Sequence, residues 1–507
     1  MSSGFFPGFQ KVNEGTPKKG QDQPHFMVFL ITHELFHALR LQESCFIRKE
    51  AFDIMDLLFP RELIDFISAS PSTFHASQNL SSMLEKSGFL PLYEGEIWNL
   101  QPGKCYFLRR NLTSLIAFRI PKKPVKSFQM ASAHLDSPTF HIKGNMEIHS
   151  THYTRLNVEK YGGMLLPSWF DRPLSVAGKV IVEENGELIS RLVNVDRDLL
   201  MIPRLAIHMS PQANSGENLS VQTDMLPLFG DEAAKNTFMD TIASSINKNS
   251  IDILGFDLYL YLRTRGTIWG AKGEFLSAPR LDDLECAYIL VKSLIAAEGQ
   301  EEAISLCALF DHEEVGSSTK DGAGSVFLQT TLERIRDSLA IEYQTFQAAL
   351  ASSFMVSADN AHAKHPNHPE KADPTTYPIM NRGVVIKFHG GKKYATDSAS
   401  SAIFRSICRR ANVPTQMFSN HSDMRSGSTL GNISALHVPV NTVDIGLAQL
   451  SMHSCYETAG TQDPVYLMQA MTKYFNSRVQ LTQPGCYRIL SNQNHETVQA
   501  EKMYHSD

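Results

Sequence analysis

The sequence predicts an α/β fold: a mostly parallel central sheet with helices on both faces, plus an inserted β-rich domain. Strand and helix patterns alternate at both ends of the chain, whereas strand patterns dominate the stretch between them. At 507 residues the chain also exceeds one ordinary core, so a second domain or a large insertion is expected. The predicted division is an amino-terminal extension 1–50, an α/β domain formed by 51–143 and 270–492, a β-rich insertion 144–269 and a polar tail 493–507.

Composition narrows the class of protein. Hydrophobic content of 42% and charged content of 20% fit a soluble globular chain. A net charge of −6 without a long basic run gives no sign of nucleic-acid binding. Seven scattered cysteines without a CxxC pair indicate a reduced, intracellular protein. No apolar stretch reaches the ~20 residues of a membrane helix, so no membrane association and a cytosolic location are predicted.

The first α/β stretch contains two helical patterns and three strand patterns. The helices are predicted around Glu62–Ile67 and Ala76–Ser87, with a break and cap at Ser70–Thr73. Apolar runs predict strands at Cys105–Leu108, Ser114–Ile120 and Phe128–Ala133.

The inserted stretch carries a clear hairpin signal. Two strand patterns, Val180–Val182 and Leu188–Val193, flank Asn185-Gly186, the pair that favours a type I′ turn. The polar segment Ser210–Asp224 has the composition of a long exposed loop. Such β-rich insertions are common places for oligomer contacts.

Alternation returns after about residue 270. A helix with a broad apolar face is predicted at Leu281–Ala297. The later strand and helix patterns are strands at Ala303–Phe310, Phe354–Ala358, Val384–Phe388 and Val438–Ile445, and helices at Thr331–Leu350, Ser398–Ala411 and Pro464–Val479.

A zinc-peptidase pattern near the amino terminus is a weak candidate. His33-Glu34-Leu35-Phe36-His37 matches HExxH, in which two histidines share a helix face and the glutamate is the base. Arg40 and Glu43 occupy the Gly and third His positions of the extended form, and little chain precedes the segment to form a cleft. With 19 histidines in the chain, a chance match is the simpler explanation.

The chemistry is predicted after the strand Ala303–Phe310, where Glu313 and Glu314 stand side by side. Neighbouring side chains on extended backbone point to opposite sides, so one glutamate can bind a cation while the other acts as general base. A solvated acidic loop is the alternative.

Other acids and histidines follow other strands. These are His134, Asp359 and His453, with Asp282 opening the helix after Ser277–Arg280. Open α/β sheets bind ligands at the carboxyl ends of their strands. Two histidines, two aspartates and a glutamate suit two zinc-like ions that share one carboxylate. Taken singly, each has a structural alternative, such as a core histidine, a helix cap or a turn residue.

Six motifs resemble, in order, those of the aspartyl aminopeptidase family of metallopeptidases. They are His134-Leu135-Asp136-Ser137-Pro138, Pro279-Arg280-Leu281-Asp282, Asp311-His312-Glu313-Glu314-Val315-Gly316-Ser317, Ser357-Ala358-Asp359-Asn360-Ala361-His362, Ser422-Asp423-Met424-Arg425-Ser426-Gly427-Ser428-Thr429-Leu430-Gly431 and Met452-His453-Ser454. The resemblance runs from about Phe52 to about residue 480 and leaves residues 1 to 50 outside it.

This resemblance implies a binuclear site, with zinc as the expected metal and cobalt or manganese as alternatives. Asp282 would bridge the ions, His134 and Asp359 would complete one shell, and Glu314 and His453 the other. Glu313 would be the general base and later the acid toward the leaving amine. Asp136 would orient the imidazole of His134.

The resemblance also implies an acidic substrate and an assembly. Lys387 would face the side chain of an N-terminal Asp or Glu, with His362 and Tyr394 as further substrate contacts. A snorkelling edge lysine is the alternative for Lys387. His208 would stabilise the transition state in a neighbouring subunit's site, within a tetrahedral dodecamer. Asp283 departs from the asparagine expected in its motif, which puts metal preference in question.

The resulting hypothesis is a metal-dependent aminopeptidase that releases acidic N-terminal residues from peptides. Its rivals are a binuclear aminopeptidase of neutral or broad specificity and a self-assembling scaffold with incidental activity. Other chemistries are disfavoured. Gly427-Ser428-Thr429-Leu430-Gly431 lacks GxSxG spacing, and Gly390-Gly391-Lys392-Lys393 is not a P-loop.

Overall fold

The computed structural model describes residues 57–424 and 427–491. Its first part has two helices and four strands: α1 Leu58–Ser68, α2 Thr73–Lys86, β1 Leu90–Leu92, β2 Cys105–Arg110, β3 Ser114–Arg119 and β4 Ser127–His134. In α1, Leu63, Ile64 and Ile67 are buried at helical spacing, so the helix packs one apolar face into the core. The predicted break between the two helices is confirmed.

The middle of the chain forms a six-stranded antiparallel sheet. Its elements are β5 Thr139–His149, β6 Tyr153–Tyr161, β7 Leu174–Glu184, β8 Glu187–Asn194, α3 Val221–Asp224, β9 Leu228–Asp231, α4 Phe238–Ser245 and β10 Ile253–Leu262. The strand order is β8-β7-β10-β5-β6-β9, and the sheet encloses an apolar core of its own. Asn185 and Gly186 join β7 to β8 with φ values of 54° and 81°, which confirms the predicted type I′ hairpin.

The last part returns to α/β alternation. Its elements are β11 Thr267–Trp269, β12 Phe275–Ala278, α5 Leu281–Ala296, β13 Ala303–Phe310, α6 Phe327–Ser338, α7 Tyr343–Ala351, β14 Phe354–Ala358, β15 Ala361–His362, β16 Val384–Phe388, α8 Ser398–Arg410, β17 Thr415–Ser419, α9 Leu430–Ser434, β18 Asn441–Gly446, β19 Ala448–Leu450, β20 Glu457–Gly460, α10 Asp463–Phe475, β21 Ser477–Gln483 and β22 Cys486–Ser491. The predicted strands in β13, β14 and β16 have the bounds that the structure shows.

The central sheet has nine strands in the order β1-β2-β3-β13-β4-β14-β18-β16-β17. Its middle strands β13, β4, β14 and β18 are mutually parallel, and antiparallel pairs occur toward both sides. Side chains alternate between two apolar layers: in β4, Ala131 and Ala133 face one, Phe128 and Met130 the other. Helices α1, α2, α5, α8 and α10 cover the first face and α6, α7 and α9 the second, so the predicted α/β class is confirmed.

A smaller, five-stranded sheet lies beside the central one in the chain's last part. Its order is β11-β12-β20-β19-β15, and β20 pairs with both β12 and β19. The segments that follow β12 and β19 carry two of the predicted metal ligands, Asp282 and His453. This sheet therefore fixes the backbone that leads to both ligands.

Several predicted boundaries are wrong. The helix predicted over Thr331–Leu350 is two helices, α6 and α7, because Ala340 adopts a positive φ of 51° and the side chain of Glu342 caps α7 at the amide of Thr345. The strand predicted to begin at Val438 is β18, which begins only at Asn441. The preceding Pro439 has no amide hydrogen to donate to a ladder. Residues predicted to end the Pro464–Val479 helix instead begin β21.

The structure also bears on the predicted loop, the two ends of the chain and membrane-spanning helices. The predicted loop Ser210–Asp224 ends in the short helix α3. The HExxH segment and the polar tail 493–507 lie outside the described residues. In the described part of the chain, every helix is too short or too polar to cross a bilayer.

Candidate metal centre

Three neighbouring parallel strands of the central sheet bring predicted ligands to one edge. His134 is the last residue of β4 and pairs with Phe310, the last residue of β13. Asp359 directly follows β14, and Glu313 and Glu314 lie in a short 3₁₀ turn after β13. Because parallel strands end at the same edge, these side chains converge where α/β sheets bind ligands.

The other two candidates follow strands of the small sheet and lie outside regular helix or ladder geometry. Asp282 stands in the first turn of α5 with non-helical angles (φ −79°, ψ 110°), and the Asp282–Asp283 peptide bond is cis. His453 follows β19 with a positive φ of 65°. His453 is predicted just past the strand Val438–Ile445, and the structure places the short strand β19 between that strand and His453.

The candidates form two groups that share one residue. Potential ligand atoms of His134, Asp282 and Asp359 lie within 4.8 Å of one another, as do those of Asp282, Glu314 and His453. His134 Nε2 is 3.6 Å from Asp282 Oδ1, and His453 Nε2 is 3.4 Å from Asp282 Oδ2. The two oxygens of Asp282 thus face different histidines, as a bridging carboxylate requires.

Glu313 also lies within this cluster. One of its carboxylate oxygens is within 4.8 Å of ligand atoms of His134 and Glu314. Glu313 is therefore close enough to the ligands to exchange a proton with a molecule bound between them.

Both imidazoles are oriented with Nε2 toward the cluster. His134 Nδ1 lies 3.0 Å from the carbonyl oxygen of Asp136, and His453 Nδ1 lies 2.5 Å from that of Gly163. Because a carbonyl only accepts, each Nδ1 carries a hydrogen, and Nε2 is the nitrogen left to bind a cation once it has released any proton. This is the arrangement in which histidine binds a metal.

The donor set fits a divalent cation. Among the described residues, no donor hydrogen-bonds to the buried oxygens Asp282 Oδ1 and Glu314 Oε1. Buried carboxylate oxygens are expensive without a partner. Carboxylate and imidazole together are ligands that suit zinc.

Ionisation in the cluster is strongly interdependent. Burial raises the pKa of Glu313 to about 8, against the attraction of His134. Burial opposes protonation of His453, but Asp282 and Glu314 outweigh it and raise the pKa of His453 to about 10. Without a cation His453 therefore holds a second proton that a metal must displace, so metal binding weakens as pH falls.

Asp136 binds the loop that carries the glutamates. Its Oδ1 and Oδ2 accept the amide hydrogens of Glu313 and Glu314, each at 3.1 Å, and Tyr161 donates its hydroxyl to Oδ2 at 2.7 Å. Its carboxylate Oδ1 is 3.4 Å from His134 Nδ1, farther than its carbonyl oxygen. Asp136 thus contacts the imidazole through its backbone and holds the glutamate turn through its side chain.

Three of the predicted substrate residues lie near one another, and one of them, Lys387, contacts Asp359. Lys387 in β16 is 2% exposed, and its Nζ lies 3.3 Å from Asp359 Oδ2 and 5.6 Å from the ring of Tyr394. The rings of His362 and Tyr394 both lie 6.3 Å from that of Phe418. The structure therefore brings Lys387, Tyr394 and His362 together beside the cluster.

His208 is not brought to this site within the chain. It lies on an exposed turn, and no hydrogen bond joins its side chain to another described residue. Its neighbours Leu205, Ile207 and Met209 are also exposed.

Sequence reasoning missed two residues that hold the ligands. Glu457 accepts the amide hydrogens of Asp282 and His453, and Tyr161 binds Asp136. No motif contains Tyr161, and Glu457 stands four residues after His453 without a recognisable pattern. Asp283, the departure from the expected asparagine, is fully buried and accepts the amide hydrogen of His134 at 3.2 Å.

Comparisons with known proteins show the family of the chain. The family described as Aminopeptidase I zinc metalloprotease (M18) matches residues 66–475. The chain is 44% identical over 430 residues to a probable M18 family aminopeptidase 2 of Clostridium acetobutylicum, which covers 83% of this chain and 99% of that protein.

Solved structures are similar over the same region. Ape4 in the cryo-EM structure of the Ape4 and Nbr1 complex gives a TM-score of 0.80 at 36% identity, covering 84% of this chain and 86% of that one. The structure of the S. cerevisiae mApe1 dodecamer gives a TM-score of 0.73 at 27% identity, and the match covers 84% of this chain and 97% of that one. Since the family match spans most of the chain, the chain belongs to the M18 family and is a metal-dependent aminopeptidase.

Proposed function

We propose that this aminopeptidase releases N-terminal Asp or Glu from peptides and works with two zinc ions. The observation that carries the two-ion proposal is the position of Asp282, whose two oxygens face two separate ligand groups. His134 and Asp359 would complete the first group, and Glu314 and His453 the second. Cobalt and manganese are the alternative metals.

Each protein group has a proposed task in hydrolysis. The ions, when bound, polarise the scissile carbonyl and make water acidic enough to attack at neutral pH. Glu313 would accept the proton of the attacking water on its carboxylate and donate it to the leaving amine. Asp136 would keep Glu313 in place through the amide hydrogens that it accepts.

The proposed acid specificity depends on Lys387. Its ammonium group is buried beside Asp359, at the end of a strand in the central sheet. An acidic substrate side chain that enters here would meet the ammonium group of Lys387. The apolar residues Tyr394 and Phe418 pack beside it, and His362 lies near Phe418. A buried cation attracts a carboxylate far more strongly than an exposed one does.

One observation favours the second candidate, an aminopeptidase of neutral or broad specificity. Lys387 Nζ already lies 3.3 Å from Asp359 Oδ2. If Lys387 remains paired with that carboxylate when substrate binds, its charge orders a metal ligand and does not select the substrate. The two candidates share the metal centre and differ only in this pocket.

Matched peptides distinguish the candidates. Release rates from Asp-, Glu-, Leu- and Lys-peptides would be measured on assembled protein before chelation, after it, and after restoring zinc, cobalt or manganese. We expect acid-selective turnover that disappears with chelation and returns with metal. Metal-dependent turnover without acid preference would support the second candidate.

Lys387→Met, which keeps the side chain's length without its charge, is expected to change selectivity. We expect kcat/KM for Asp-peptides to fall by about 100-fold, while that for Leu-peptides changes little, because one buried charged hydrogen bond is worth about 3 kcal/mol. Lys392→Met, in the exposed loop after β16, is the control. An equal loss with every peptide would show that Lys387 instead supports Asp359.

We also propose that the chain acts as a cytosolic homo-oligomer, with a tetrahedral dodecamer as the expected form. Supporting this, Leu205, Ile207 and Met209 expose apolar side chains on both sides of His208. A related structure is a dodecamer. His208 would then contribute to the site of a neighbouring subunit, and a scaffold role remains the alternative function of such an assembly.

A further inference from the structure

Glu457 connects two metal ligands that come from distant parts of the chain. It is the first residue of β20 and is 2% exposed. Its Oε2 accepts the amide hydrogen of Asp282 at 3.0 Å, and its Oε1 accepts that of His453 at 2.7 Å. One carboxylate therefore fixes the backbone of both residues.

The strand pairing around Glu457 fixes the same two residues a second time. Glu457 pairs with Ala278, the last residue of β12, from which the chain leads to Asp282. On its other side β20 pairs with β19 through Thr458 and Leu450, and from there the chain leads to His453. The side chain of Glu457 thus connects the segments that follow β12 and β19, the two strands on either side of β20.

Both ligands lie outside regular secondary structure at their backbone amides. Asp282 has extended, non-helical angles within the first turn of α5, and His453 has a positive φ of 65°. A left-handed conformation in a residue other than glycine, as in His453, persists only where the surroundings hold it. Amide groups at such positions also lack the regular partners of a helix or ladder.

We propose that Glu457 is a positioning residue that couples the two cation sites by fixing the shared ligand Asp282 relative to His453. This inference rests on the proposed two-ion centre. Each oxygen of Glu457 accepts an amide hydrogen and the side chain is almost fully buried, so Glu457 acts through the ligands and not on the substrate. Because Asp282 serves both ions, loosening it weakens both sites.

The test is the metal affinity of Glu457→Gln in the full-length assembled protein. Zinc and cobalt affinities would be measured by competition with a chelator, together with the number of ions bound. An amide can accept only through its oxygen, so one of the two backbone contacts is lost. We expect both affinities to fall by about 10- to 100-fold, the usual cost of losing an outer-shell partner.

Asp463→Asn is the matched control. Asp463 is fully buried and accepts the amide hydrogens of Asn381 and Gly383 at 2.6 and 3.0 Å, neither of which is a predicted ligand. This variant loses the same kind of contact, so its melting temperature should fall as in Glu457→Gln. Its metal affinities should stay within about threefold of the parent chain, since no predicted ligand loses a partner.

Three results would overturn the proposal in distinguishable ways. Unchanged affinities for two ions in Glu457→Gln would remove the role of Glu457 and leave the centre intact. Equal losses in Glu457→Gln and Asp463→Asn would reduce the effect to general destabilisation. A parent chain that binds one ion or none would remove the two-ion centre itself. If Glu457→Gln does not fold, Glu457→Asp, whose shorter side chain cannot span both amides, replaces it with the same expectations.

Discussion

Glu313→Gln is expected to lower kcat by about 10²- to 10⁴-fold, the contribution typical of general acid–base catalysis. The amide cannot accept the proton of the attacking water, whereas the shape of the turn and the two hydrogen bonds to Asp136 come from backbone amides and are retained. Single-turnover rates on metal-loaded protein, with metal content measured on the same sample, would test this expectation.

The adjacent residue provides the control. Glu314→Gln changes the same kind of side chain in the same turn, and Glu314 Oε1 lies 3.4 Å from His453 Nε2. Glu314→Gln should lose both metal and activity, whereas Glu313→Gln should lose activity alone. Metal loss in Glu313→Gln would instead make Glu313 a ligand, a position that its closeness to His134 permits.

Asp282→Asn is expected to have the second large effect, because Asp282 belongs to both ligand groups. We expect the affinity for both ions to fall by more than about 100-fold, since a direct ligand matters more than an outer-shell partner. Activity should then be lost at metal concentrations that saturate the parent chain. Metal titration followed by calorimetry would give the stoichiometry directly.

Asp359→Asn is the control for Asp282→Asn, because it removes a predicted ligand of one ion and not of both. Asp359 belongs to one of the two groups that contain Asp282, so this variant should retain one ion of high affinity. Loss of a single ion in Asp282→Asn, or of both in Asp359→Asn, would contradict the bridging assignment.

The central strands and the ligand cluster were predictable because their signals are local. Apolar runs such as Ala303–Phe310 are long enough to identify buried strands, and acids directly after them mark the carboxyl edge. The edge strand β17 is polar and partly exposed, so it carries no comparable run. The break at Ala340 escaped prediction because alanine favours helix and the capping residue there is a glutamate.

The supporting contacts were not predictable for a different reason. Glu457 and Asp136 act on backbone amides of residues that are distant in sequence. A backbone amide has no residue type, so such a partnership leaves no pattern in the sequence. Only the folded arrangement of β12, β19 and β20 shows which amides a carboxylate reaches.

The strand order also determines when during protein synthesis the enzyme can become active. Strand β18, at Asn441–Gly446, lies between β14 and β16, both of which the ribosome makes earlier. His453 and Glu457 follow it near the end of the described chain. A nascent chain therefore lacks a complete central sheet until β18 has been translated, and it lacks the proposed ligand His453 and its partner Glu457 until still later. We expect translation products cut short before His453 to be inactive as peptidases, so that they would not trim other newly made proteins.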